Sequence, residues 1–77
     1  MTLDQMSPQT LVQIVSVNGK GLLRSRLLEM GLTPHTLVKI RKVAPMGDPL
    51  EVYLRSYVLT LRKEDAALIE VRVVDDE

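Results

Sequence analysis

The chain contains no cysteine. That removes a disulfide framework, a thiolate metal site and a thiol redox couple from consideration. It contains no tryptophan or phenylalanine, and Tyr53 and Tyr57 are its only aromatic side chains. Two tyrosines cannot line the groove that takes a proline-rich ligand. They also make a poor stacking platform for single-stranded nucleic acid. Histidine occurs once, at His35, with no histidine or carboxylate three or four residues further on. The clustered ligands that a soft or borderline metal requires are therefore missing, and any metal binding is expected to be weak. No apolar run approaches the ~20 residues that cross a bilayer. The opening Met1-Thr2-Leu3-Asp4-Gln5-Met6 lacks a basic segment and an apolar core, so no signal peptide is expected. Net charge is also lacking, with ten Lys/Arg against ten Asp/Glu. A general nucleic-acid binder would carry a net positive domain.

What is present fits one small domain over residues 1–77, with 45% hydrophobic residues and a limited core. The charges are unevenly placed. Up to Gly47 the bases are Lys20, Arg24, Arg26, Lys39, Arg41 and Lys42, against Asp4 and Glu29. From Asp48 onward the acids outnumber the bases, and Asp75-Asp76-Glu77 reads as a flexible acidic tail.

Five segments read as strands. Leu11–Val17 is rich in β-branched residues and stops at Asn18-Gly19. Ile14 and Val15 are adjacent, so a bulge is needed to settle which face is buried. Leu37–Val43 places Val38 and Ile40 on one side and Lys39 and Arg41 on the other. Leu50, Val52 and Leu54 alternate with Glu51, Tyr53 and Arg55. Tyr57, Leu59 and Leu61 point inward in the next segment, and Leu68 to Val73 form the last. A short helix is expected over roughly Lys20 to Met30, with Asn18 as N-cap and Leu23, Leu27 and Met30 as its apolar stripe, widened by Leu22 and Leu28. Gly31 ends it in the left-handed region. Arg62–Ala67 has room for one helical turn. Pro8-Gln9 is expected as a type I turn, because glutamine disfavours positive φ. Thr33-Pro34-His35-Thr36 is a further turn. Arg55-Ser56 is a hairpin connection that lacks the usual glycine or asparagine, which points to a longer loop.

Between the second and third strands lies Ala44-Pro45-Met46-Gly47-Asp48-Pro49-Leu50. Two prolines fix φ and remove donors, and Gly47 supplies positive φ. The Asp48 carboxylate can fold onto amides of the turn. The stretch reads as a rigid turn closing a hairpin. Together with Arg26-Leu27-Leu28-Glu29-Met30-Gly31-Leu32-Thr33-Pro34 before it and Leu61-Arg62-Lys63-Glu64-Asp65-Ala66 after it, this motif resembles the FeoA family. The three blocks stand in that family's order and spacing. The family consists of small cytoplasmic proteins that accompany a membrane ferrous-iron transporter.

Five short strands in so small a chain must curl into a partly closed barrel. The resemblance implies a mainly β fold, an SH3-like barrel with one short helix inserted after the first strand. A catalytic reading finds no material. No serine stands in a nucleophile elbow, and neither a phosphate-binding loop nor a dinucleotide fingerprint is present. No catalytic, cofactor or metal residues are therefore assigned. The resemblance implies a non-enzymatic accessory of ferrous iron uptake. It would dock on the cytoplasmic GTP-binding region of the transporter and be recruited by it to the inner face of the membrane. Self-association is an open alternative. Candidate contact residues are Met46, Gly47, Asp48, Tyr53 and Arg55, since methionine, tyrosine and arginine are enriched at interfaces. The competing reading makes Met46 a loop tip and Tyr53 a cross-strand partner. A second class of function is also open: an SH3-like module of metal-dependent transcription regulation, or a small nucleic-acid-binding barrel using Lys39, Arg41, Lys42 and Arg55.

Overall fold

The alternating apolar positions build five strands, and a computed structural model describes them within residues 1–55 and 57–74. The expected tail at 75–77 and Ser56 lie outside the described residues. The strands are β1 (Leu11–Val17), β2 (Leu37–Val43), β3 (Leu50–Leu54), β4 (Tyr57–Leu61) and β5 (Ile69–Val73). They form one antiparallel sheet in the order β4-β3-β2-β1-β5. Val12, Ile14, Val38, Ile40, Val52, Leu54 and Ile69 are almost completely buried in its concave core. Helix α1 (Gly21–Glu29) follows β1, and the single-turn helix α2 (Lys63–Ala66) precedes β5.

Two bulges set which side chains face out. In β1, pairing with β5 passes from Ile14↔Val71 to Ser16↔Glu70, so Val15 is the extra residue and turns outward, 48% exposed. This is the bulge that the adjacent Ile14 and Val15 demand. In β2, pairing with β3 passes from Ile40↔Val52 to Lys42↔Glu51, leaving Arg41 extra. Strict alternation would have turned Lys42 into the core. The bulge keeps Lys42 exposed and returns Val43 to face Leu50.

Helix α1 begins later than expected. Its N-cap is Lys20, not Asn18, because Gly19 takes positive φ and carries the chain further before the helix starts. The Asn18 amide instead donates to the Leu68 carbonyl at 2.7 Å. The apolar stripe is also narrower. Leu27 is buried, Leu28 and Met30 pack partly against the core, and Leu22 is 83% exposed. The helix stop is as expected. Gly31 has φ +99°, its amide donates to Leu28 O at 3.0 Å, and the Leu32 amide donates to Leu27 O at 3.2 Å.

Two short links depart from expectation. The Pro8-Gln9 turn is not type I, since Gln9 has φ +70° and the Thr10 amide donates to Ser7 O at 3.2 Å. Long-range bonds override the local preference: the Gln9 amide donates to Ile40 O at 2.6 Å, and Thr10 O accepts from the Ile40 amide at 3.0 Å. The β3–β4 connection is two residues long, because Leu54 pairs directly with Tyr57, and Arg55 accommodates it with φ +47°. At His35 the expected turn forms with φ +76°, which suits position three of a type II turn after Pro34. The N-terminal segment carries more structure than its sequence suggests. Leu3–Gln5 is a 3₁₀ turn, and Leu3 is wholly buried in the core.

The β2–β3 turn gives a direct test of backbone strain. Gly47 has φ +82°, and a side chain there would meet only Lys63 Nζ at 3.9 Å. Space is therefore available and only the backbone resists. Gly47→Val is expected to lose about 1–2 kcal/mol of stability. An unchanged thermal melt would contradict it.

Candidate functional site

The β2–β3 turn is held at both ends. The Gly47 amide donates to Ala44 O at 2.7 Å, and the Ala44 amide donates to Pro49 O at 3.1 Å. Pro45 and Pro49 restrict φ on either side, and the Asp48–Pro49 peptide is cis. This framework projects Met46 into solvent at 88% exposure, the most exposed of the large apolar side chains.

The Asp48 carboxylate does not fold back onto its own turn. Its Oδ1 accepts from the Lys63 backbone amide at 3.0 Å. Lys63 is the first residue of α2, whose own N-cap residue, Arg62, makes no side-chain cap bond. Asp48 thus caps α2 from fifteen residues away. Beside their standing as candidate contact residues, Gly47 and Asp48 also serve the fold, one by its conformation and one by its hydrogen bond. Asp48→Ala is expected to cost about 1 kcal/mol of stability, and Asp48→Asn less, since the amide oxygen can still accept. Chemical denaturation of the two variants checks this. Equal losses would contradict the cap.

Tyr53 lies on the outer face of β3, opposite Lys39 on β2 and Val58 on β4. It is 46% exposed. Arg55 sits at the far end of β3, exposed in the β3–β4 connection. The five strand residues between the two turns span about 17 Å at ~3.4 Å each. The structure therefore groups Met46, Gly47 and Asp48 at one end of the hairpin, places Tyr53 on the face between, and leaves Arg55 at the other end. It brings Tyr53 instead beside Gln9, Lys39 and Arg41, around a shallow cleft of about 300 Å³. Lys39 joins it as the cross-strand partner of Tyr53, and Gln9 only because the Pro8-Gln9 turn is tied to β2, a contact no local motif signals.

Tyr57 has a separate role. It faces the concave side, and its hydroxyl donates to the Met30 carbonyl at the end of α1. The bond ties the edge strand β4 to the helix stop. Gly31 leaves room for this contact, since a β-carbon there would lie 2.8 Å from the Tyr57 oxygen and the ring tip would have to shift. The sequence reading finds in Gly31 a helix stop alone.

His35 is exposed in its turn, with backbone bonds to Ile14 and to the Gln13 side chain. Among the described residues no three of His, Asp or Glu come together in a metal-binding arrangement. The isolated chain is expected to bind Zn²⁺ or Fe²⁺ no tighter than a single surface histidine allows. Calorimetry that finds a tight one-to-one site, abolished in His35→Ala, would contradict this. Among the described residues no helix is long and apolar enough to cross a membrane.

This arrangement is shared with known proteins. The chain is 36% identical over 74 residues to the Fe(2+) transport protein A/Fe(2+) transporter FeoB fusion protein of Porphyromonas gingivalis, covering 96% of this chain and 9% of that protein. It superposes with a TM-score of 0.91 and 38% identity on iron(II) transport protein A from Clostridium thermocellum, covering 96% of this chain and 46% of that one. It thus spans a small fraction of the first relative and about half of the second. FeoA of Stenotrophomonas maltophilia, solved in complex with zinc and described as an SH3 domain protein, matches at a TM-score of 0.82 and 26% identity, over 94% of this chain and 89% of that one. The sheet with its inserted helix is that SH3-like fold. The FeoA domain model matches residues 1–73, so the chain belongs to the FeoA domain family.

Proposed function

We propose that this chain is a non-enzymatic accessory of ferrous iron uptake that docks on the cytoplasmic GTP-binding region of the membrane iron transporter. The observation that carries the reading is the Porphyromonas gingivalis relative, whose name joins transport protein A and the transporter in one polypeptide. Covalent linkage holds two modules at high effective concentration, an arrangement that favours partners which must meet. A family member that is not fused to the transporter would achieve the same encounter by docking. The hairpin offers the candidate contacts Met46, Gly47 and Asp48 at its tip, Tyr53 on its outer face and Arg55 at its far end, of which methionine, tyrosine and arginine are types enriched at interfaces. Docking of this kind would hold the chain in the cytoplasm at the inner face of the membrane. Iron is the transporter's cargo in this scheme and has no required ligands on this chain.

Affinity capture tests the reading. Tagged chain is expected to retain the transporter of the same cell from detergent-solubilised membranes. A transporter that passes through unretained under conditions where the tagged chain is folded would contradict it.

A further inference from the structure

The convex face of β2 and β3 gathers positive charge in a way the fold has to work for. Lys39, Arg41 and Lys42 are all exposed on it because the bulge at Arg41 prevents Lys42 from turning inward. The bulge is clamped from outside the strand. The Gln9 amide holds the Ile40 carbonyl at 2.6 Å, and Gln9 Nε2 reaches the Arg41 carbonyl at 3.5 Å, from a residue itself at φ +70°. One acid, Glu51, neighbours two of the three cations: it stands opposite Lys42 in the strand register, and its Oε1 lies 3.7 Å from Arg41 Nη1 in a solvent-exposed pair, leaving the face with three bases against one acid. Among the described residues Lys39 and Lys42 have no carboxylate within salt-bridge distance. The shallow cleft between Gln9, Lys39, Arg41 and Tyr53 adds a half-exposed ring at the centre of the charge.

We propose that this bulged outer face of β2 and β3 binds an acidic segment of the chain's protein partner, its carboxylates meeting Lys39, Arg41 and Lys42 while an apolar group rests on Tyr53. The proposal rests on the docking reading above and specifies the chemistry that the partner presents. An acidic polypeptide suits the face better than single-stranded nucleic acid. Only one aromatic ring is available here, because Tyr57 lies on the concave side, and a polynucleotide needs successive rings on which to stack. Rim charges of this kind act mainly on encounter and are screened by salt.

The test uses the full chain and a short glutamate-rich peptide containing leucine, followed by NMR. Amide shifts are expected to move at Lys39 to Lys42 and at Tyr53, and to fade as salt rises. Lys39→Gln combined with Lys42→Gln is expected to weaken the peptide about three- to tenfold, and to weaken the transporter's cytoplasmic region by a comparable factor. Shifts confined to other surfaces, or an unchanged affinity for the peptide in the folded double variant, would overturn the proposal. So would tighter binding of oligothymidylate than of the peptide. Unchanged affinity of the double variant for the transporter region overturns this inference alone, leaving the docking reading intact. Absence of binding by the unaltered chain overturns the docking reading itself.

Discussion

Gly31→Ala is expected to lower stability by about 2–3 kcal/mol. Two costs combine. Gly31 stands at φ +99°, where a side chain costs about 1–2 kcal/mol. The added carbon would also lie 2.8 Å from the Tyr57 oxygen and would displace the hydroxyl from the Met30 carbonyl. Losing that hydrogen bond adds roughly 1 kcal/mol. For a domain of this size the sum lowers the melting temperature by about 10–20 °C. Tyr57→Phe separates the two terms. It removes the oxygen and keeps the ring, so adding Gly31→Ala to it should cost only the backbone strain, about 1 kcal/mol less than in the unaltered chain. Strict additivity in this double-mutant cycle would show that the close approach of Tyr57 has no part in the choice of glycine.

Met46→Asp is expected to act on binding and not on folding. The side chain is 88% exposed, so replacing it removes no core contact. The turn beneath it is held by the Gly47–Ala44 and Ala44–Pro49 backbone bonds, which the substitution leaves in place. Thermal unfolding should therefore match the unaltered chain closely. If Met46 is the apolar anchor of the docked state, a carboxylate in its place is desolvated at the interface and costs about 2 kcal/mol or more of affinity. That is roughly a thirtyfold rise in Kd. Unchanged affinity in the folded variant would remove the turn from the interface and leave it as a clamp that joins the hairpin to α2.

Much of this architecture is legible in the sequence. The alternation of Leu50, Val52 and Leu54 with polar neighbours places β3, and the adjacent Ile14 and Val15 announce the β1 bulge. Gly31 followed by Leu32 marks the helix stop. What is not legible depends on contacts distant in the chain. The bulge at Arg41 leaves only a faint signature, the adjacent bases Arg41 and Lys42 before Val43, since Lys39-Ile40-Arg41 alternates up to that point. Gln9 adopts positive φ because Ile40, far along the chain, takes its amide. Leu3 is buried with no periodic neighbours to reveal it. Asp48 reads as a turn carboxylate because nothing local shows that α2 begins beside it. The candidate site follows the same division. Met46 at a proline-framed tip is readable as exposed. The grouping of Tyr53 with Gln9, Lys39 and Arg41 appears only when strand register and the N-terminal turn are both known. The separation of Arg55 from Met46 follows from the length of β3, so a sequence motif that groups them describes two ends of one hairpin.

The most direct measurement is a calorimetric titration of the purified chain into the purified cytoplasmic GTP-binding region of the transporter from the same cell, with and without bound guanine nucleotide. Docking predicts saturable binding at a fixed stoichiometry, weakened by Met46→Asp while the melting curve stays in place. No heat and no complex at concentrations well above those in the cell, with both proteins folded, would contradict the account.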